Sequence, residues 1–243
     1  MRFKGAKALV TGANGGIGRA VVNRLRDEGA RVAGADLTLM DDYADICLIG
    51  DLCDLDYASR LAGRAAEALD GLDIVVNNAG IMRRGPVTTT DDDDFDLSVA
   101  VNIRAPFQIC RAAIPIMAAG GGGAIVNTAS CWGVHPGPDH AVYCMTKAAL
   151  ASLTQCMARD HAHQKVRINA VCPNEVDTAM LRTGFEIRGF DPATAIAALG
   201  DSVPLGHVAS PEEIADVVLF LASDAARYMC GALVEVNGGK PVT

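Results

Sequence analysis

Short apolar runs alternate with longer stretches of helical period from one end of the chain to the other. The runs near 6–11 (AKALVT), 31–36 (RVAGAD), 46–49, 72–77 (LDIVVN), 123–129 (GAIVNTA), 166–172 (VRINAVC) and 231–237 (GALVEVN) read as strands. Between them, 16–29, 54–70, 91–119, 141–164 and 210–223 carry apolar residues at helical spacing. This alternation predicts βαβ units, because a parallel strand pair needs a crossover long enough to hold a helix. The expected architecture is α/β: a single domain over 1–243 with one doubly wound, seven-stranded parallel sheet and helices on both faces.

Local signals sharpen several boundaries. Ser210, Pro211 and Glu213 stand in the order of an N-cap, a proline at the first helical position and a capping-box glutamate. The tract DDDD at 91–94 reads as helix-start charge facing the positive end of a helix dipole, with Asp91 or Asp92 as the cap, rather than as a metal site. The segment 178–209 breaks the alternation with a connection longer than a usual βα loop. A long connection at the carboxyl end of a strand points to a substrate lid.

Composition narrows the function. The chain has 243 residues, half of them hydrophobic and 21% charged, which suits a folded domain with a full core. A net charge of -8 disfavours nucleic acid and anionic membrane as partners. The N-terminal MRFKGAKALV lacks an apolar signal core, and no stretch approaches 18 apolar residues, so a cytoplasmic location is expected. The 8 cysteines are scattered without CxxC pairs, and the 5 histidines show no zinc-ligand spacing, so no metal is expected.

Residues 11–18, TGANGGIG, follow an apolar strand and open a helical run, the context of a dinucleotide-binding turn. Gly12 allows the tight turn, Gly16 lets backbone approach a pyrophosphate, and Gly18 packs helix on strand. The spacing is G-xxx-G-x-G. The second strand ends in Asp36, whose carboxylate can accept hydrogen bonds from both ribose hydroxyls and repels a 2′-phosphate. Asn14 and Gly15 supply no cation for such a phosphate, so the expected cofactor is NAD.

With TGANGGIG stand Asp51-Leu52, NNAG at 77–80, Asn102 in AVNIRAPF, Ser130, YCMTK at 143–147 and VNGG at 236–239. In this order and spacing the chain resembles the classical short-chain dehydrogenase/reductase family along nearly its whole length. The resemblance implies a Rossmann fold, a homotetramer built through helices near 91–119 and 141–164, and a small-molecule substrate. It implies dinucleotide contacts from Gly12, Asn14, Gly16, Ile17, Gly18, Asp51, Leu52, Asn78, Ala79, Gly80, Pro173, Val176 and Thr178. It also implies a catalytic set of Asn102, Ser130, Tyr143 and Lys147, the last two also holding the cofactor. One departure is PNEVDT at 173–178, where Asn174 takes a place that is often glycine and Glu175 follows.

Such a set interconverts a secondary alcohol and a ketone. Tyr143 exchanges the proton, Lys147 four residues on supplies the cation that favours phenolate, Ser130 donates to the substrate oxygen, and Asn102 fixes a water. Cys131 and Cys144 are expected bystanders. Trp132, His135 and His140, in the loop before the catalytic helix, are candidate pocket walls, as are Asn174 and Glu175. Arg83, Arg84 and Arg182 are candidate contacts to an anionic substrate group. Sugars, polyols, cyclic alcohols and anionic hydroxy compounds fit this reading. A 3-oxoacyl carrier-protein reductase is the second enzyme reading, and a catalytically silent dinucleotide-binding regulator the one from another class.

Overall fold

A computed structural model describes residues 1–38 and 44–240. Seven parallel strands form one sheet in the order β3-β2-β1-β4-β5-β6-β7. The strands are β1 (Lys7–Thr11), β2 (Arg31–Asp36), β3 (Ile46–Ile49), β4 (Ile74–Asn77), β5 (Gly123–Thr128), β6 (Val166–Pro173) and β7 (Leu233–Val236). The helices are α1 (Gly16–Asp27), α2 (Leu55–Leu69), α3 (Asp92–Val99), α4 (Ala105–Ala119), α5 (Cys131–Val134), α6 (Ala141–His161), α7 (Ala179–Ile187), α8 (Pro192–Asp201) and α9 (Pro211–Ala222). All seven predicted strands are present, each within about two residues of its expected bounds.

The strands read as unbroken apolar runs because both faces of the sheet are covered. Side chains alternate between two cores at the strand period of two. Ala8, Val10, Ile74, Val76, Ala124 and Val126 pack beneath α1 and α9. Leu9, Val75 and Ile125 point the other way, against α2, α4 and α6. The cores therefore sit on either side of one sheet, and the helix starts lie at the carboxyl ends of the strands.

The caps behave as the sequence indicates. Asp91 accepts from the Asp94 N–H at 2.7 Å, and Asp92, Asp93 and Asp94 occupy the first turn of α3. Ser210 and Glu213 form a complete capping box at the start of α9. At its other end, Arg167 of β6 donates to the carbonyls of Leu221, Ala222, Ser223 and Ala226. One guanidinium thus satisfies acceptors that the helix cannot satisfy internally.

Three details depart from the sequence reading. The single helix expected over 91–119 is interrupted by a π-helical turn, Ala100–Arg104. The segment 178–209 is not an open loop, since it folds into α7 and α8, which pack on each other. The loop before α6 holds one further helical turn, α5, capped by the Ser130 hydroxyl accepting from the Trp132 N–H.

A polar chain crosses the otherwise apolar core. The Asn77 amide donates to Asn127 at 2.8 Å, Asn127 donates to Thr154 at 2.8 Å, and Thr154 donates to the Leu150 carbonyl at 2.8 Å. It ties β4, β5 and α6 in register below the site. Asn127→Ala should lower unfolding free energy by about 1–3 kcal/mol in urea titration, since Asn77 and Thr154 lose partners in a dry setting. An unchanged midpoint would show the chain to be dispensable.

Candidate active site

The order of strands reverses between β1 and β4, so the connections leaving these strands diverge and leave a crevice at their carboxyl ends. A cleft of about 690 Å³ opens there. Gly12, Asn14, Gly15, Gly16 and Ile17 line it at one end, and Ser130, Tyr143 and Lys147 at the other.

At the glycine turn, Gly12 has φ +63°, the left-handed region where a side chain is strained. A Cβ on Gly12 would stand 2.8 Å from the Ala79 Cα, and one on Gly18 would collide with the Gly12 carbonyl oxygen. The turn thus runs at backbone contact with the loop after β4. Gly18 packs the start of α1 onto the turn and does not itself line the cleft. Gly15 caps α1 without a side-chain acceptor, and a Cβ on Gly16 would lie 2.9 Å from Thr178 Cγ2 at the start of α7. Two helix N-termini meet there, a setting suited to anionic oxygens.

Asn78 holds this arrangement from the β4 side. Its amide donates to the Thr11 and Gly12 carbonyls, each at 3.1 Å. The Thr11 hydroxyl accepts from the N–H groups of Asn78 and Ala79, each at 3.1 Å. The sequence pattern assigns Thr11 no role, because only the fold brings residues 11 and 78 together.

Asp36 sits at the far corner. Its carboxylate accepts from the Asn14 N–H at 2.8 Å and the Leu37 N–H at 2.7 Å. It is therefore fixed in place at the cleft edge. Asp51 and Leu52 line the same corner, with Asp51 accepting from the Cys53 N–H at 2.8 Å. Asn78, Ala79, Gly80, Pro173, Val176 and Thr178 line the middle.

At the other end, Tyr143 and Lys147 occupy successive turns of α6 on one face, both buried. The Lys147 ammonium donates to the Thr128 carbonyl at 2.8 Å and lies 5.8 Å from the Tyr143 ring centroid. Burial pushes Lys147 down to about 8. Burial likewise pushes the Tyr143 hydroxyl up to about 12, against the downward pull of its hydrogen bond with Ser130. The expectation that Lys147 favours phenolate is thus outweighed, with protein groups alone around it, by the low-dielectric setting that both groups share.

Asn102 belongs to the π-helical turn and does not line the cleft. Its amide pairs with the Ile81 peptide, accepting from the N–H and donating to the carbonyl, each at 2.9 Å, and it donates to Thr146 at 3.0 Å. A Cβ on Gly80 would lie 3.1 Å from the Lys147 ammonium and 3.3 Å from the Asn102 carbonyl oxygen. Glycine at 80 therefore lets both groups reach one point. A π turn inside a helix often marks a functional site, and here it is what aims Asn102 at the loop after β4.

The substrate-side candidates divide. Trp132 and His140 line the cleft, with ring centroids 4.5 Å apart and edge to face. His135 turns away to Glu235 at 3.2 Å. Arg84 lines the cleft, whereas Arg83 pairs with Asp94 at 2.7 Å and Arg182 with Asp177 at 2.7 Å, both on the outside. The end of helix α7 presents Phe185, in its last turn, and Arg188, its C-cap, to the cleft instead. Asn174 and Glu175 both line it; Glu175 pairs with Lys240 at 3.0 Å, and the Asn174 side-chain oxygen is buried without a hydrogen-bond partner. Met82, from the loop after β4, and Phe185 and Leu199, from the segment expected as a lid, add an apolar wall that spacing could not reveal.

Cys131 and Cys144 are both buried. Cys131 donates to the Cys172 carbonyl at 2.9 Å, and burial pushes its thiol up to about 12, the opposite of a reactive thiolate.

Among the described residues no helix is long and apolar enough to cross a membrane. The family model described as Enoyl-(Acyl carrier protein) reductase matches residues 12–240. An L-xylulose reductase of Bos taurus is 36% identical over 98% of this chain and 98% of its own. A 4-formylbenzenesulfonate dehydrogenase of Comamonas testosteroni is 36% identical over 97% of each. The ligand-free aldohexose dehydrogenase of Thermoplasma acidophilum superposes with a TM-score of 0.92 at 28% identity, covering 99% of this chain and 97% of that one. With the glycine turn, the buried Tyr143-Lys147 face and the parallel sheet already in place, these matches establish that the chain is an oxidoreductase belonging to the short-chain dehydrogenase/reductase family.

Proposed function

We propose that the protein interconverts a secondary alcohol and a ketone, using NAD, with Tyr143 as the proton-exchanging group. The observation that carries this reading is the convergence of Ser130, Tyr143 and Lys147 on the cleft that the glycine turn opens. Members of the family use a nicotinamide dinucleotide, and the cleft has features that fit one: the cradle at Gly12 and Gly16 that Cβ atoms would fill, and the orphaned Asn174 oxygen. Gly12, Asn14, Gly16 and Ile17 would hold the pyrophosphate half, Asp36, Asp51 and Leu52 the adenosine, and Asn78 to Gly80, Pro173, Val176, Thr178, Tyr143 and Lys147 the nicotinamide half. Bound there, the nicotinamide supplies the hydride acceptor or donor.

The remaining work falls to the chain. Ser130 donates a hydrogen bond to the substrate oxygen. Tyr143 takes the hydroxyl proton in oxidation and returns it in reduction. A phenol raised to about 12 is protonated at neutral pH, ready for ketone reduction, so oxidation should gain from higher pH. The Lys147 ammonium, held by the Thr128 carbonyl rather than by a carboxylate, keeps its charge available to the phenolate that forms. Asn102, locked to Ile81, fixes the wall beside Lys147.

The substrate reading rests on the lining. Polar groups from Asn174, His140 and Arg84 beside an apolar wall suit a polyol, sugar, cyclic alcohol or anionic hydroxy compound. Among the relatives, an L-xylulose reductase is named for a sugar and a 4-formylbenzenesulfonate dehydrogenase for a substrate with an anionic group, which supports the sugar and anionic readings.

Three outcomes test this reading. Tyr143→Phe should lower turnover at least about 10²-fold while NADH fluorescence still reports binding, the scale of general acid-base catalysis; retained turnover refutes the mechanism. Asp36→Ala should shift the ratio of NAD to NADP affinity toward NADP by about 10-fold or more, because the fixed carboxylate both accepts from ribose hydroxyls and repels a phosphate. An unchanged ratio would mean that Asp36 only braces the turn. Below about pH 8 the Lys147 ammonium is charged in both folded and unfolded chains, and the folded state carries its whole desolvation cost. Between there and about 10.4 only the unfolded chain keeps the proton, and that cost is relieved. Wild-type Tm measured against Lys147→Met should therefore rise across that window, whereas a flat difference would show that the ammonium is not desolvated.

A further inference from the structure

Two arginines meet at Gly184, in the last turn of α7. Arg188 Nε donates to the Gly184 carbonyl at 2.9 Å. Arg84, from the loop after β4, lies against the same residue: a Cβ on Gly184 would collide with its guanidinium. Gly184 is buried, so absence of a side chain there is what lets Arg84 come so close. Both arginines line the substrate half of the cleft with Tyr143.

Like charges gathered at such a site repel, and in folded proteins a carboxylate ordinarily compensates them. Here none does. Among the described residues neither Arg84 nor Arg188 forms an ion pair, while the neighbouring charges are already matched: Arg83 to Asp94, Arg182 to Asp177 and Lys240 to Glu175. Asp36 and Asp51, the other carboxylates of the lining among the described residues, stand at the glycine-turn end. Burial and Arg188 together hold Arg84 below its ordinary value, and Tyr143 acts on it in the other direction, so the guanidinium and the phenol share one electrostatic neighbourhood. Arg188 is positioned as well, 4.7 Å above the Phe185 ring and 5.9 Å from that of Phe190. In a chain of net charge -8, the half-buried Arg84 beside Tyr143 and the exposed Arg188 next to it at the cleft make a site of opposite sign.

We propose that Arg84 and Arg188 form a clamp for an oxyanion on the substrate, a carboxylate or sulfonate, and hold a hydroxy acid with its secondary alcohol at Tyr143. The inference rests on the reading of Tyr143 as the proton-exchanging group and narrows the substrate to an acid. Guanidinium forks match planar or trigonal oxyanions with paired N–H donors. The apolar side chains of Met82, Phe185 and Leu199 give the carbon chain between the two ends a dry wall. An anion held by both arginines also bridges the loop after β4 to α7.

The test uses the whole protein with NAD and a panel of 2-, 3- and 4-hydroxyalkanoates and hydroxyalkanesulfonates, each matched with its neutral amide. Wild type should favour acid over amide in kcat/KM by about 10- to 100-fold, the scale of hydrogen bonds to charged groups. Arg84→Met and Arg188→Met should each reduce that preference, chiefly through KM, and the double variant should abolish it. Arg83→Met and Arg182→Met, which change arginines paired outside the cleft, should keep it. The carboxylate and sulfonate arms identify the head group. Calorimetric titration of the NADH-saturated protein with the same acids reads binding apart from chemistry. Acids bound in preference to amides but never oxidised would leave the clamp and remove the Tyr143 reading. Neutral amides oxidised as well as acids, or a preference that survives the double variant, would leave the Tyr143 reading and remove the clamp. Neither binding nor turnover of any acid in preference to its amide overturns the clamp outright.

Discussion

The rest of the site hangs on the contact between the ends of β1 and β4. Four hydrogen bonds join Thr11-Gly12 to Asn78-Ala79 across it: the Thr11 hydroxyl accepts from the Asn78 and Ala79 N–H groups, and the Asn78 amide donates to the Thr11 and Gly12 carbonyls. These strands are neighbours in the sheet but far apart in the chain, and the winding reverses between them. The reversal opens the crevice, and the hydrogen bonds fix its floor. Because the two backbones touch, Gly12 and Gly18 have no room for a side chain. From this floor the start of α1, the fixed Asp36 carboxylate and the Gly80 opening toward Lys147 all take their positions.

Above the floor the cleft separates charge. Carboxylates from Asp36 and Asp51 lie at the end near β2 and β3, whereas Lys147, Arg84 and Arg188 face the end near α6 and α7. Among the described residues the carboxylate that lines the cationic half, Glu175, is neutralised by Lys240. Desolvation then makes each remaining charge more consequential, because a buried cation without a counterion gains most from any negative charge that enters or develops beside it. That single condition lowers Lys147, raises Tyr143 and lowers Arg84.

Much of the site is legible in the sequence. Tyr143 and Lys147 share a helix, so their spacing alone places them on one face, and the glycine turn is a local feature whose strand-turn-helix context is written in its neighbours. The seven strands were legible too, since burial on both faces imposes apolar runs. Other residues were not. Arg83 and Arg84 are adjacent in sequence and opposite in fate, one paired to Asp94 outside and the other lining the cleft. Arg182 was the arginine that the sequence drew attention to, but the turn of α7 presents Arg188 instead and ties Arg182 to Asp177. Nothing in the residues around 102 announces a π-helical turn, because the turn is stabilised by partners, Ile81 and Thr146, that lie 21 and 44 positions away.

By itself the sequence determined what depends on neighbours along the chain: the seven strands and the long helices between them, the caps at Asp91 and Ser210, the glycine turn and the Tyr143-Lys147 pairing. The tertiary structure decided which side chains are dry, which charges are matched and which are not. It also set how near two guanidiniums come to a glycine 100 residues downstream of one of them. Those are properties of packing between segments that hydrophobic periodicity brings to the same core without fixing which of their polar groups will meet.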